Sequence, residues 1–473
     1  MLIQPGKSGQ SEDEMHLDNT PKPFGELVYR CIGCGRAYNI HEFIYTCPNC
    51  KSLLRIENKD FDKLKQTSGS QWADLFDARI KAKELKLMGI FRFHELILPI
   101  IPIEDIIYLG EGNTPMVQAN KELSAWVGCN FFVKMEGLNP SASFKDRGMA
   151  SAISYLNHVI RVKNLDNVLG ICASTGDTSA SAALYMSYLP KTKVKSVVLL
   201  PEGKVTPQQL SQPLGSGAIV IELPGVFDDC MQIVEELAND FNVFLLNSKN
   251  PVRIQGQKTY AYEVAQQLGW NLDNLALVVP VGNAGNITAI MEGFVDLYEL
   301  GIINELPTML AVQSYHADPI VKWRLTGNYQ PIKVKPSVAQ AAMIGDPVSF
   351  PKVAKLVQEY FSDRFYAIAL SEDEIMEGML MANRHGHVVC TQGGESIAGL
   401  KKAIEQKIIE PSGRFVVDST SHQLKFASFQ QMYFENRFDP GYEISPKDSF
   451  KNSPIRMEAN ASIIADFLGL QRK

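Results

Sequence analysis

The sequence predicts an α/β protein made of two doubly wound parallel-sheet domains with a cleft between them, preceded by a small metal-binding ribbon. Three observations carry this. From residue 110 onward, short β-branched or leucine-rich runs alternate with amphipathic segments, the pattern of parallel strands covered by helices on both faces. That region runs to roughly three hundred residues, more than one such sheet usually holds. Near the N-terminus, Cys31-Ile-Gly-Cys34 and Cys47-Pro-Asn-Cys50 form two Cys-x-x-Cys pairs with twelve residues between them.

Composition bounds the class. The chain has 473 residues, 45% hydrophobic and 21% charged, an ordinary globular balance with material for a large core. A net charge of −6 gives no general reason to expect a nucleic-acid or anionic-membrane partner. The first twenty residues are polar and acidic, and the apolar run from Leu96 to Leu109 is broken by Pro99, Pro102, Glu104 and Asp105. The expectation is a cytoplasmic protein without a membrane span.

In chain order, residues 1–24 lack periodicity and read as a mobile tail. Residues 25–57 read as short strands around two cysteine knuckles, with Gly33 and Gly35 permitting the tight backbone. Four thiolates from Cys31, Cys34, Cys47 and Cys50 complete a tetrahedral site, so a structural zinc ion is expected. A ribbon of this kind can bind nucleic acid, but no basic stripe accompanies it, which favours a docking or structural role. Residues 58–109 read as a helical arm and connector, with Trp72, Leu75, Phe76, Ile80 and Leu87 at helical spacing. Strands are expected at 130–136, 168–173, 194–200, 218–223, 243–246, 275–281 and 309–314. Amphipathic helices follow, such as 230–237 and 288–300. Residues 110–428 form the expected α/β core of two subdomains. Residues 429–473 form a polar extension ending in a helix at 459–470, packed on the body or on a second subunit. Cys129, Cys172, Cys230 and Cys390 sit among apolar residues and read as core thiols.

The chemistry centres on Asn139-Pro-Ser-Ala-Ser-Phe-Lys-Asp-Arg-Gly148. Met149, Ile153, Leu156 and Ile160 follow at helical spacing, and Ser143 with Asp146 resembles a capping box, so a helix should begin near Phe144. That places Lys145 in the first turn, where free N–H groups and the helix dipole disfavour a protonated amine. A lysine held there is a candidate for Schiff-base chemistry, although a lone lysine in a first turn is most often a solvated surface residue. A second loop, Pro280-Val-Gly-Asn-Ala-Gly-Asn286, follows a strand and opens a helix. Its glycines let consecutive N–H groups converge on a phosphate, as they also could in a plain tight turn.

The Ser-Phe-Lys-Asp-Arg-Gly segment resembles the cofactor-lysine segment of pyridoxal-phosphate enzymes related to the tryptophan synthase β-subunit (fold type II). With Glu136-Gly-Leu-Asn-Pro140 ahead of it, the resemblance is greatest to the threonine synthases and covers roughly residues 100–430. The resemblance implies pyridoxal 5′-phosphate held by Lys145, with the cofactor phosphate on Gly282, Asn283, Ala284, Gly285 and Asn286. It implies Asp177 at the cofactor's 3′-oxygen, where the family commonly has asparagine; an ionised carboxylate beside a phenolate-like oxygen would require one of them to hold a proton. Thr420, in Asp418-Ser-Thr-Ser-His-Gln-Leu-Lys-Phe426, would face the ring nitrogen, with His422 a structural neighbour. Ser174, Thr178, Asn247, Ser248, Arg253 and Asn283 would meet the substrate and its phosphate. Ile344-Gly-Asp-Pro347 would border the cleft. The implied reaction is conversion of O-phospho-L-homoserine and water to L-threonine and phosphate, in a protein expected to be a homodimer. Two other readings compete with it: a β-eliminating or β-replacing relative (serine/threonine dehydratase or cysteate-synthase-like), and a zinc-ribbon binding protein with an inactive enzyme domain. A dehydratase would not need Arg253, because its substrate carries no phosphate.

Overall fold

The computed structural model describes residues 19–81, 83–174, 176–202, 207–224 and 227–471. Three sheets organise them. The ribbon pairs β1 (Leu27–Cys31) with β2 (Ala37–Asn39) and β3 (Leu54–Asn58), both antiparallel. The chain then starts one edge of a larger sheet with β4 (Met116–Gln118) and β5 (Phe132–Met135). It leaves to build a second sheet from β6 (Val168–Ala173), β7 (Val194–Pro201), β8 (Ile219–Leu223) and β9 (Val243–Leu245). It returns with β10 (Leu275–Pro280), β11 (Thr308–Ser314), β12 (Phe365–Leu370) and β13 (Arg414–Ser419). The strand orders are β12-β11-β10-β13-β5-β4 and β8-β7-β6-β9, and every pairing within them is parallel except β4 with β5.

The parallel strands form because their residues are buried on both faces. All six residues of β10, Leu-Ala-Leu-Val-Val-Pro, are buried, which suits a central strand covered by helices on either side. The strand expected at 168–173 is β6 itself, and the others fall within two residues of the expected ends. β4, β12 and β13 were not anticipated. β12 is Phe-Tyr-Ala-Ile-Ala-Leu, whose alanines read equally as helix, and β13 follows a Pro-Ser-Gly turn with only three apolar residues. The Lys145–Lys163 helix buries Met149, Ile153, Leu156 and Ile160, the residues that announced it.

The arm is an ordered strap. Its Gly69–Arg79 helix has a capping box from Ser68 and Gln71, buries Trp72, Leu75 and Phe76, and stacks Trp72 on Phe76. Arg79 pairs with Glu95 at 2.6 Å where both side chains are nearly solvent-free. Of the expected mobile tail, residues 1–18 lie outside the described residues. Residues 19–24 are tied to the body: Pro21 is buried and Phe24 N–H donates to Pro99 O at 3.0 Å. Ribbon residues Leu27, Tyr29 and Leu54 share one core with Trp72, Tyr155 and Phe244. At the other end, the Ala461–Phe467 helix buries none of its residues, so it does not pack on the body of its own chain.

Candidate active site

Lys145 is placed by backbone pairing rather than by the anticipated capping box. Phe144 N–H donates to Thr420 O at 2.9 Å, His422 N–H donates to Ala142 O at 3.0 Å, and Ser143 bridges Ser421. This antiparallel contact joins the lysine segment to the end of β13. The helix starts at Lys145 with Phe144 as its cap and no side-chain capping bond. Asp146 turns back instead, accepting from Ser141 N–H and Ser141 Oγ at 2.6 Å each and from Ser181 Oγ. The Lys145 amine opens onto the cleft, 4.1 Å from the centre of the Phe144 ring, with no hydrogen-bond or ion-pair partner among the described residues. Burial and the nearby Arg253 charge lower its pKa from 10.5 to about 8.

The cavity in front of Lys145 lies at the C-terminal ends of strands from both sheets, where ligands of open α/β sheets bind. The loop after β10 supplies one wall. Ala284 adopts a left-handed conformation (φ 61°) and caps the Gly285–Glu299 helix. A Cβ on Gly282 would stand 2.8 Å from Ala342 Cα, so this position takes only glycine while the two loops touch. The N–H groups of Gly282, Asn283, Ala284, Gly285 and Asn286 have no acceptor among the described residues. They form the donor-rich pocket, at a helix N-terminus, that a phosphate fits. Asn286 turns its side chain away, donating to Asp418 Oδ2 at 2.8 Å. The loop is buttressed by Ser349 N–H donating to Asn283 O at 3.1 Å.

Opposite lie Thr420, Asp177, Ser248 and Arg253. Thr420 Oγ1 stands 3.6 Å from Cys390 Sγ, so a buried thiol backs the hydroxyl. Asp177 is the first residue of the Asp177–Met186 helix and pairs with Lys425 Nζ at 3.0 Å. Lys425, in the same segment as Thr420, has no signature in the sequence that points to this pairing; it sets a positive charge against the Asp177 carboxylate. His422 Nδ1 accepts from Leu424 N–H at 3.2 Å, a cap on the following turn.

Arg253 is the most informative side chain. It is 3% exposed, on the Pro251–Gln257 helix, with Nη1 donating to Leu246 O at 2.9 Å. Its Nε is buried without a partner, and no carboxylate pairs with it among the described residues. Burial lowers its pKa from 12.5 to about 10. A buried, uncompensated guanidinium lining a cavity is costly unless an anion arrives to meet it.

Three expected substrate residues do not line this cavity. Ser174 Oγ accepts from Gly176 N–H at 3.3 Å within its own loop, and Thr178 lies one residue into the helix beyond Asp177. Asn247 spends its amide on β6, accepting from Ala173 N–H at 3.0 Å and donating to Ala173 O at 2.5 Å. Gln257, Gln392, Ala341 and Ala342 also line the cavity; Gln257 lies in the Gln255-Gly-Gln-Lys-Thr259 stretch that resembles the family's substrate-phosphate strip, and Ala341 and Ala342 lie just ahead of the expected border at 344–347.

Beneath the lysine helix runs a solvent-free charge network with no local signature. Arg147 pairs with Glu136 and with Glu263, each at 2.7 Å; Lys134 and Arg92 reach Glu263 at 3.0 and 3.2 Å. It locks the helix that presents Lys145 against β5 and the core.

In the ribbon, the Sγ atoms of Cys31, Cys34, Cys47 and Cys50 all lie within 4.8 Å of one another. The Cys31–Cys50 and Cys34–Cys47 distances are 3.4 and 3.6 Å, near the roughly 3.8 Å edge of a tetrahedral zinc–thiolate site. Gly35 (φ 72°) donates its N–H to Cys31 O to close the first knuckle.

Residues 107–420 match the family described as pyridoxal-phosphate dependent enzyme. Threonine synthase of Methanocaldococcus jannaschii is 40% identical over 446 residues, 93% of this chain and 99% of the relative. Chloroplastic threonine synthase 2 of Arabidopsis thaliana is 32% identical over 438 residues, 91% of this chain and 82% of the relative. Among solved structures, threonine synthase from Escherichia coli shares the fold, with TM-score 0.63 at 19% identity over 85% of this chain and 90% of that one. No described helix is long and apolar enough to cross a membrane. The chain belongs to the pyridoxal-phosphate-dependent enzymes and, within them, to the threonine synthase family.

Proposed function

We infer that this protein converts O-phospho-L-homoserine and water to L-threonine and phosphate. The observation that carries the substrate reading is the pair of anion sites facing one lysine: the open N–H groups of residues 282–286 and the orphaned, buried Arg253. One suits the cofactor's phosphate. The second has no purpose for a substrate without a phosphate.

The site residues fit pyridoxal phosphate: Lys145 would anchor it, Gly282 to Asn286 would cradle its phosphate, Thr420 would meet its ring nitrogen and Asp177 its 3′-oxygen. When bound, the cofactor supplies an electron sink for negative charge at the substrate's α- and β-carbons. Lys145, whose lowered pKa leaves a far larger neutral fraction than an ordinary lysine has at the same pH, takes and returns the proton at Cα. Thr420 offers a neutral hydroxyl, which does not enforce a ring proton as a carboxylate would. Lys425 neutralises Asp177 from outside the cavity. Arg253 and Ser248 hold the substrate phosphate, and the guanidinium's grip strengthens as charge grows on the departing group.

Cys31, Cys34, Cys47 and Cys50 would hold one zinc ion in a structural role, since a closed thiolate shell leaves no position for substrate. The functional division we propose is ribbon 25–57, arm 58–109, catalytic unit 110–428 and extension 429–473. All eight cysteines are free, which supports a reducing, cytoplasmic setting. A homodimer is part of the same reading, supported by the exposed Ile463, Ile464, Phe467 and Leu468 of the last helix. Phosphate release from phosphohomoserine and from phosphoserine, measured side by side with 2-oxo acid formation from serine and threonine, tests the substrate. Preference for phosphohomoserine supports the reading; turnover of serine or threonine with equal efficiency defeats it.

A further inference from the structure

β9 is an edge strand: its inner groups bond β6, while Val243 O and Leu245 N–H point outward. Such groups, buried, need partners. A single ribbon side chain supplies both. Tyr45 Oη donates to Val243 O at 3.1 Å and accepts from Leu245 N–H at 2.8 Å. Its ring is 9% exposed and packs with Ile171, Val197 and Val243 in the core of the four-stranded sheet.

What lies beyond β9 gives this contact its consequence. Asn250 Nδ2 donates to Leu245 O at 2.8 Å while its Oδ1 caps Val252, at the start of the helix that carries Arg253. Arg253 Nη1 donates to Leu246 O at 2.9 Å, and Asn247 is fastened to Ala173. The turn that presents Ser248 and Arg253 to the cavity therefore hangs on Leu245, the last residue of the strand that Tyr45 completes, and on Leu246 just beyond it.

We propose that Tyr45 is a positioning residue for the substrate's phosphate: its hydroxyl stands in for the missing neighbour of β9 and fixes the turn from which Ser248 and Arg253 act. This gives the ribbon a task in the reaction without any ribbon atom touching substrate. It rests on the reading of Arg253 as the phosphate ligand. Loss of the hydroxyl leaves the turn to be ordered by the arriving ligand, so the cost falls on binding.

The test uses the holoenzyme with Tyr45→Phe, which keeps the ring and removes the two bonds. KM for phosphohomoserine and the inhibition constant of inorganic phosphate should rise together by about tenfold, with kcat within about twofold, the net scale of losing the hydroxyl's two modest hydrogen bonds. The visible spectrum of the bound cofactor should not change, and amide hydrogen exchange across residues 243–250 should quicken. Phe43→Leu is the control, because Phe43 packs edge-on against Phe244 at 5.3 Å without touching the outward groups of β9. It should lower the melting temperature and leave phosphate inhibition alone; an equal effect on inhibition would reduce Tyr45 to general packing and overturn the proposal. Exchange that quickens in Tyr45→Phe while phosphate inhibition stays constant also overturns it, provided Arg253→Lys weakens inhibition. If neither variant moves inhibition, the phosphate reading of Arg253 fails, and the clamp is then judged on exchange alone. In the unaltered enzyme the outward Leu245 amide should exchange as slowly as the inward Leu246 amide, which donates to Ile171 O at 2.8 Å. Fast exchange at Leu245 would refute the clamp without any variant.

Discussion

Replacing Arg253 with alanine should damage turnover while sparing the fold. In the free protein the guanidinium spends Nη1 on Leu246 O, leaving Nε and Nη2 for a ligand. Two charge-assisted bonds to a phosphate are worth about 1.5–3 kcal/mol each, and they tighten as the C–O bond breaks. Arg253→Ala should therefore lower kcat/KM for phosphohomoserine by at least about a hundredfold, or roughly 2.7 kcal/mol. Stability should move differently. The fall in the arginine's pKa from 12.5 to about 10 corresponds to roughly 3 kcal/mol of unfavourable charge burial, which alanine relieves. The lost bond to Leu246 costs about 1–3 kcal/mol in the other direction. The melting temperature without substrate should hence stay close to the parent's while activity collapses, and the cofactor spectrum should persist. Arg253→Lys should recover only part of the rate, because an ammonium cannot make the paired contact. Steady-state phosphate release, calorimetry and the visible spectrum together check this. Turnover within about threefold of the parent would place the substrate phosphate elsewhere and refute the argument.

Other expectations follow from the same geometry. Borohydride reduction of the holoenzyme should leave the cofactor covalently on Lys145, as peptide mapping would show, and a label on another lysine would end this reading of the site. Capture of cofactor by the apoprotein needs the neutral amine. Its rate should rise about tenfold per pH unit below pH 8 and level off above it, and a rise continuing to the 10.5 of an ordinary lysine would contradict the depressed pKa. Metal analysis should find one zinc per chain, and its removal should quicken hydrogen exchange within residues 25–57, because so small a ribbon has little core of its own. Glu263→Ala leaves Arg92, Lys134 and Arg147 without their shared carboxylate and should lower unfolding stability by about 3–5 kcal/mol in denaturant titration.

The parts of this site that sequence reading reached are those whose cause is local. Lys145 was legible because Met149, Ile153, Leu156 and Ile160 mark its helix, and the 280–286 loop because its glycines sit between a buried strand and a helix. The capping box failed for a non-local reason. Residues 142–144 pair with 420–422, nearly three hundred residues away, and Asp146 is drawn instead to Ser141 and Ser181. Asn247 reads as a free donor in a polar loop, yet the end of β6 takes its amide. The network around Glu263 draws its charges from residues 92, 134, 136 and 147, so no window of the sequence contains it. Tyr45 is similar: its partners are about two hundred residues on, and an aromatic residue two positions before a knuckle cysteine reads as ribbon core.

The most direct test of the account is the product balance from phosphohomoserine under steady turnover. The account predicts L-threonine and inorganic phosphate in equal amounts, with the new hydroxyl oxygen drawn from solvent water. A 2-oxo acid and ammonia as the main products, with little threonine, would contradict it and return the protein to the eliminating enzymes that share its fold.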